Sequence, residues 1–178
     1  MQKRLTKLSI ACLPDSPVGP VWVAASDKGL VAVELGVDEE VFRKTLSSRG
    51  YVDFTRDSEA AKDIATSALQ QIREYLDGER QAFKLPLDWS LLTPFQGRVL
   101  QEVFAIPFGE VSTYGEIARR LEKSGASRAV GRANATNPIP LVIPCHRVIG
   151  QNGELRGYGT GNGIETKAWL LRLEGRDV

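Results

Sequence analysis

The pattern of the chain changes once, near residue 88, and this change limits the possible folds more than any other feature. Before it, short apolar runs alternate with turn residues, as in a sheet. After it, apolar residues recur at helical spacing behind capping residues. A chain of 178 residues is long enough for two small domains. We therefore expect an α/β protein of two domains, residues 1–88 and 89–178.

The first half has the pattern of a sheet with helices. Strands are predicted for five apolar runs, residues 8–13, 21–25, 30–35, 51–55 and 83–87. Asp27-Lys28-Gly29 separates two of these runs and favours a hairpin, so the sheet should be antiparallel. Helical spacing is found in residues 38–48 and 58–76. Nothing in this half resembles a reaction centre, and we expect a structural domain.

Three stretches of the second half carry signals for the start of a helix. Thr93 precedes Gln96, and Thr113 precedes Glu116, at the three-residue spacing of a capping box. Ser127 is placed to cap a third helix. A last helix is predicted for residues 165–174. The second half should therefore be mostly helical.

Two of these helices, residues 114–121 and 128–135, are joined by a short turn that contains Gly125, the layout of a helix-turn-helix. In that motif the second helix enters a DNA groove. Small residues permit close approach to a duplex, and Arg128 and Arg132 add positive charge. The second half is mildly basic, with a net charge of +3 against −2 for the first. A plain helical hairpin has the same spacing, so both interpretations stay open.

Cysteine and histidine are too few for a structural zinc site. The chain has two cysteines and one histidine, whereas zinc takes about four such ligands. So few cysteines suit a reducing compartment.

The first residues lack the charged-then-apolar pattern of a secretory leader, and no apolar run approaches the roughly 20 residues of a membrane span. We expect a cytoplasmic protein that holds no metal and has no membrane anchor.

The adjacent pair Cys145-His146 is the strongest candidate for chemistry. A thiolate is a nucleophile and an imidazole is a base, and His146 is the only histidine. The apolar run 141–143 before the pair predicts a buried strand. Because neighbouring side chains of a strand point to opposite faces, the pair needs a bridging water or a tight bend to cooperate. A carboxylate must orient the histidine, and Glu174 is one candidate. A structural cysteine beside a charged pair fits the spacing equally well.

A longer set of motifs resembles the O6-alkylguanine-DNA alkyltransferases (methylated-DNA–protein-cysteine methyltransferases). The resemblance is carried by Ile143-Pro144-Cys145-His146-Arg147-Val148, with Pro107-Phe108-Gly109-Glu110-Val111, Arg128-Ala129-Val130-Gly131, Asn137-Pro138-Ile139-Pro140 and Lys167-Ala168-Trp169-Leu170-Leu171. It covers about residues 90–175 continuously. The first half is similar only in its coarse pattern of strands and helices.

The resemblance implies a fold and a reaction. The first domain should be a ribonuclease-H-like antiparallel sheet with helices, and the second a mostly helical winged helix-turn-helix domain. The protein should flip a damaged base from double-stranded DNA and transfer the alkyl group of O6-alkylguanine, and of O4-alkylthymine, irreversibly to Cys145. No cofactor is implied. It should dock through the minor groove as a monomer that can assemble cooperatively on DNA, in the cytoplasm on the nucleoid, or in the nucleus of a eukaryote.

The resemblance also assigns roles to single residues. Cys145 would be the acceptor in a pre-deprotonated form, His146 the base acting through a water, and Glu174 the group that holds His146. Tyr114 would turn the target phosphate and lend a proton to the leaving guanine, and Asn137 would brace the turn before the active site. The DNA-binding residues would be Arg128, which fills the gap in the base stack, Tyr114, Gly131, Ala135 and Gln151. The base pocket would be formed by Pro140, Tyr158 and Gly159.

Two other functions are compatible with parts of the pattern. The first is a non-catalytic binder that flags alkylated DNA for other repair factors, although the presence of Cys145 argues against it. The second is a thiol hydrolase, which would turn over continuously rather than inactivate itself. Asn134 and Gly159 occupy pocket positions at which members of the family vary, so the sequence leaves open how bulky an alkyl group is accepted.

Overall fold

The computed structural model describes residues 4–53 and 58–177, without the side chains of residues 4–6, 52, 53 and 91. The chain forms two compact units, Met1–Asp88 and Trp89–Val178. In the described part of the chain, no helix is both long and apolar enough to cross a membrane.

The first unit is built on a three-stranded antiparallel sheet of β2 (Ser9–Leu13), β3 (Val21–Ser26) and β4 (Gly29–Leu35), in that order. Strands β3 and β4 form the predicted hairpin, in which Ser26 pairs with Gly29. Most of β3 and β4 is buried, because both faces of this sheet are covered. The antiparallel sheet predicted from the sequence is confirmed.

Two amphipathic helices accompany this sheet, α1 (Glu39–Ser48) and α2 (Glu59–Leu76). Asp38 caps α1 and Ser58 caps α2, each by accepting a hydrogen bond from the backbone three residues later. Helix α1 buries its apolar stripe in a core cluster that contains Phe42, Leu46 and Ala24 of β3. Both predicted helices are confirmed.

The edges of the first unit depart from the predicted pattern. Strand β1 (Arg4–Lys7) pairs in parallel with β5 (Tyr51–Asp53), and the rest of the predicted strand 51–55 lies outside the described residues. The strand predicted for residues 83–87 is wrong. Among the described residues a single bridge forms there, between Leu30 and Leu87, because Pro86 has no N–H to donate to a ladder.

The described residues of the second unit form four α-helices: α3 (Pro94–Phe104), α4 (Tyr114–Arg120), α5 (Ser127–Ala135) and α6 (Ile164–Leu173). Helices α4 and α5 are joined by the short turn expected of a helix-turn-helix, and both contact α3. Two short strands, β6 (Ser112–Thr113) and β7 (Val148–Ile149), pair in parallel. This pair fixes the start of α4 beside the segment that carries Cys145.

The helix starts of the second unit match their predicted caps only in part. Thr113 and Glu116 form the full capping box. Thr93 accepts from the backbone of Gln96, but the Gln96 side chain donates to Thr136 and does not complete the box by accepting the backbone N–H of Thr93. The predicted cap at Ser127 is wrong, since Ser127 is the first residue of α5 and the cap position holds Ala126.

The segment predicted as a buried strand, residues 141–143, is instead a series of tight turns. It is fully buried, as expected, but Leu141 has a φ of 69°, which no strand allows. The backbone N–H of Ile143 donates to Ile139 in a helix-like turn. Buried turns are possible here because Asn137 bonds to the backbone of the same segment.

We predict that Thr113→Ala lowers the free energy of unfolding by about 0.5–2 kcal/mol, because the first turn of α4 loses its cap. Urea denaturation measures this loss. Ser127→Ala is the matched control, and it should change the free energy of unfolding by less than about 0.5 kcal/mol, since Ser127 caps no helix. Equal losses in the two variants would contradict the capping role of Thr113.

Candidate active site

The reactive pair lies in a single 3₁₀ turn, Cys145–Arg147. Its backbone is fixed by hydrogen bonds from Cys145 to Ile143 and from Arg147 to Pro144. All three side chains are buried. The turn is the tight bend that the sequence required for adjacent cysteine and histidine side chains to cooperate.

Glu174, the residue after α6, is the centre of the hydrogen-bond network behind this turn. Its carboxylate lies 3.0 Å from Nε2 of His146 and accepts three hydrogen bonds from the guanidinium of Arg147 at 2.8–3.1 Å. It also accepts the backbone N–H of Gly109. Glu174 is 5% exposed, so these groups replace the water that an ionised carboxylate would otherwise bind.

The Glu174 contact determines which nitrogen of His146 is basic. A carboxylate only accepts hydrogen bonds, so Nε2 carries the proton and Nδ1 is the basic nitrogen. Burial lowers the pKa of His146, and this effect outweighs the opposing influence of Glu174. His146 is therefore a neutral imidazole that can accept a proton. Its ring meets the buried Tyr158 ring edge-on, with 6.5 Å between centroids.

The Cys145 thiol is not deprotonated in advance, contrary to the expectation from the sequence. Burial raises its pKa to about 11, so the resting side chain is a neutral thiol. The surroundings nevertheless favour the thiolate. Asn137, the backbone N–H groups of Cys145 and His146, and the charge of Lys167 all lower this pKa. The site can therefore stabilise a thiolate once a base takes the proton.

Lys167 is a functional candidate that the sequence reasoning missed. It is fully buried, and its ammonium donates to the backbone oxygens of Val148 and Arg156. Burial lowers its pKa to about 8, while Cys145 acts in the opposite direction. The sequence did contain a signal for its burial. Lys167 lies seven residues before Glu174, on the same face of α6 as the apolar residues Leu170 and Leu171. Arg147 was likewise assigned no role, although it neutralises Glu174.

Asn137 lies where the sequence placed it, in the turn before the active site. Its amide group donates to the backbone oxygen of Ile143 at 2.8 Å, and its side-chain oxygen accepts the N–H of Ile139 at 3.0 Å. The side chain also lowers the pKa of the Cys145 thiol. Asn137 thus connects three parts of one buried segment.

Tyr114 is the first residue of α4, and its ring lies against α5. A Cβ atom at Gly131 would stand 3.8 Å from the ring carbons Cδ1 and Cε1. Burial raises the pKa of Tyr114, and the neighbouring Cys145 adds to this effect. The phenol is therefore protonated near neutral pH and able to donate.

Of the remaining predicted residues, some are exposed on α5 or in a loop, and others are buried near the reactive turn. Arg128, Arg132 and Ala129 are exposed on α5 and line a groove of about 540 Å³ together with residues of α3. Ala135 is exposed at the end of α5, where a Cβ atom at Gly159 would stand 3.0 Å from its backbone oxygen. Pro140 and Tyr158 are buried near the turn, and Gln151 is exposed in the loop after β7.

Two family profiles match the chain. The ribonuclease-like domain of 6-O-methylguanine DNA methyltransferase matches residues 10–89, and the DNA binding domain of 6-O-methylguanine DNA methyltransferase matches residues 94–176. The chain belongs to this family. The predicted family and the predicted two-domain fold, a ribonuclease-like domain followed by a DNA-binding domain, are confirmed.

Relatives of this methyltransferase family cover nearly the whole chain. The methylated-DNA–protein-cysteine methyltransferase of Methanosarcina acetivorans is 39% identical over 161 residues, which is 90% of this chain and 95% of that protein. The Mycobacterium tuberculosis protein of the same name is 41% identical over 160 residues, 90% of this chain and 88% of its own. A crystal structure of Mycobacterium tuberculosis OGT in complex with DNA has a TM-score of 0.75 at 38% identity, with 94% of this chain and 92% of that chain covered.

Within the described ranges, no three side chains of histidine, cysteine, aspartate or glutamate are grouped to hold a metal ion. Several polar side chains around Cys145 are bonded to one another or to the backbone of the turn. The groups that the structure brings together around Cys145 are its thiol, the His146 imidazole, the Glu174 carboxylate and two buried cations, Arg147 and Lys167.

We predict that Glu174→Gln lowers the free energy of unfolding by about 3–5 kcal/mol, because it leaves the buried Arg147 without a counter-charge. The exposed pair Glu154–Arg156 offers a control with the same residue types. Glu154→Gln should change the free energy of unfolding by less than about 0.5 kcal/mol. Chemical denaturation of both variants measures the difference, and comparable small losses would contradict the central place of Glu174.

Proposed function

We propose that the protein repairs DNA by direct reversal, moving the alkyl group of O6-alkylguanine to Cys145 in a single, irreversible reaction. The observation that carries this proposal is the buried thiol of Cys145 beside a neutral His146 whose Nε2 contacts Glu174. Such a thiol needs a base at the moment of reaction, and the imidazole is the available one. Membership of the methyltransferase family supports the same reaction.

The site accounts for every bond and proton that changes in the proposed step. The thiol proton leaves Sγ for Nδ1 of His146 through a water, and Sγ attacks the alkyl carbon. An S–C bond forms as the bond between that carbon and O6 breaks. The guanine that leaves takes a proton from Tyr114, and the proton on His146 restores the phenol. The thioether has no leaving group that this site can displace, so each molecule acts once.

The exposed face of α5 is the proposed DNA-contacting surface. Arg128 and Arg132 bring positive charge, and Ala129 and Gly131 leave room for a close approach to a duplex. A narrow minor groove suits such small side chains, and readout there is nearly independent of sequence. Arg128 would occupy the space left by the flipped base, which offsets part of the cost of unstacking.

Further details extend the same proposal. The pocket of Pro140, Tyr158 and Gly159 would hold the flipped base, including O4-alkylthymine, with Gln151 at the DNA edge.

The protein would bind DNA as a monomer, with neighbouring copies assembling cooperatively. Because its substrate is DNA, it would act where the chromosome lies, in the cytoplasm of a prokaryote or the nucleus of a eukaryote.

We expect one methyl group per protein molecule, on Cys145, after incubation with duplex DNA that contains a single O6-methylguanine. Peptide mass spectrometry locates the group, and Cys12→Ser should react as the unchanged protein does. Cys145→Ser should gain no methyl group, because a hydroxyl is far less readily ionised than a thiol. Binding of the modified DNA without any methyl transfer would instead support the non-catalytic damage binder, and continuing turnover would support a hydrolase.

A further inference from the structure

Asn134 is a buried polar residue of α5 to which the proposed reaction gives no role. It is 4% exposed, and it lies one helical turn after Gly131. Its amide nitrogen donates to the backbone oxygen of Cys145 at 3.3 Å. Because a backbone oxygen only accepts, this contact fixes which end of the side-chain amide is the nitrogen. The helix proposed to bind DNA is thus bonded directly to the reactive residue.

The Asn134 side chain also interacts with Tyr114, whose pKa it lowers. The Tyr114 ring crosses α5 at Gly131, and positions three apart on a helix lie on one face. Asn134 therefore lies on the face of α5 that the Tyr114 ring contacts. By lowering the pKa of Tyr114, the Asn134 side chain stabilises the ionised form of the phenol. An amide nitrogen has two hydrogens, one for Cys145 and one for Tyr114.

The other end of Asn134 argues against a purely structural role. Its side-chain oxygen is buried and has no hydrogen-bond partner among the residues that the structure describes. A buried acceptor without a partner destabilises a fold, so an apolar side chain of similar size would suit the core better. Retention of an asparagine here requires another reason.

We propose that Asn134 is a positioning residue for alkyl transfer, whose amide nitrogen bridges the Cys145 backbone oxygen and the Tyr114 hydroxyl oxygen. This inference rests on the proposed role of Tyr114 as the donor to the leaving guanine. As Tyr114 gives up its proton, the second hydrogen of the Asn134 amide stabilises the phenolate. The first hydrogen, bonded to the Cys145 backbone oxygen, fixes the position of the turn that carries the thiol relative to that phenol.

The test is a double-mutant cycle of Asn134→Leu with Tyr114→Phe, measured as the rate of alkyl transfer from O6-benzylguanine as the free base. Leucine keeps the volume and removes both hydrogen bonds. We expect Asn134→Leu to slow transfer about tenfold to a hundredfold, since a hydrogen bond to a developing charge is lost. In the Tyr114→Phe background the same change should slow transfer at most about threefold, because only the Cys145 contact remains to be lost.

Folding is followed separately by urea denaturation, and Asn134→Leu should be as stable as the unchanged protein or more stable. Asn134→Ala, which cannot overpack the site, repeats the cycle if the leucine variant folds poorly. Equal slowing by the Asn134 change in both backgrounds would overturn the bridge to Tyr114. An unchanged rate in the single variant would overturn any positioning role. Absence of alkyl transfer by the unchanged protein, both from O6-benzylguanine and from duplex DNA that contains O6-methylguanine, would overturn the proposed function, and this inference with it.

Discussion

The buried contact between Glu174 and Arg147 is the interaction on which the active site depends. A carboxylate that is 5% exposed is stable only if hydrogen bonds and an opposite charge replace its water. Arg147 supplies both, and it also donates to the backbone oxygen of Ile106. Glu174 in turn accepts the N–H of Gly109. One ion pair therefore joins the end of α6, the loop after α3 and the turn that carries Cys145.

This arrangement leaves His146 neutral and oriented. Burial keeps the imidazole neutral, and the charge of Arg147 acts in the same direction, so Glu174 orients the ring without holding it in the charged form. The thiol beside it is also neutral at rest. Oxidation and alkylation by small molecules follow the thiolate, so a neutral, buried thiol is protected until a substrate is in place. For a protein that is used once, premature loss of Cys145 would be as costly as a failed repair.

Local signals in the sequence predicted local structure well. The box of Thr113 and Glu116 was visible because both partners lie within four residues, and the turn at Asp27-Lys28-Gly29 was visible for the same reason. Ser127 was misleading, since several residues near a helix start can supply a cap and only tertiary packing selects one. The strand predicted at residues 83–87 failed because a single proline removes the donor that a ladder needs.

Spacing alone predicted the site only as far as its reactive residues, and the family resemblance added Glu174 and Asn137. Cys145 and His146 were evident from their adjacency, and Glu174 was one of several candidate carboxylates. The bridge of Asn134 to Cys145 and the burial of Lys167 depend on how helices pack, which spacing along the chain does not determine. The sequence also did not predict that the Cys145 thiol is protonated at rest, because burial determines the pKa of this thiol. The burial could not be worked out, since the turn at residues 141–143 could not be distinguished from a strand.

The central claim is that His146 is a neutral base held through Nε2 by Glu174. Because it is the only histidine, its ring nitrogens give one pair of signals in a ¹H–¹⁵N NMR spectrum of the labelled protein. Recorded as a function of pH, these signals should show a neutral ring at pH 7 with the proton on Nε2, and a pKa below the ordinary value of 6.5. A ring that is protonated at pH 7, or that carries its single proton on Nδ1, would contradict the proposed proton transfer.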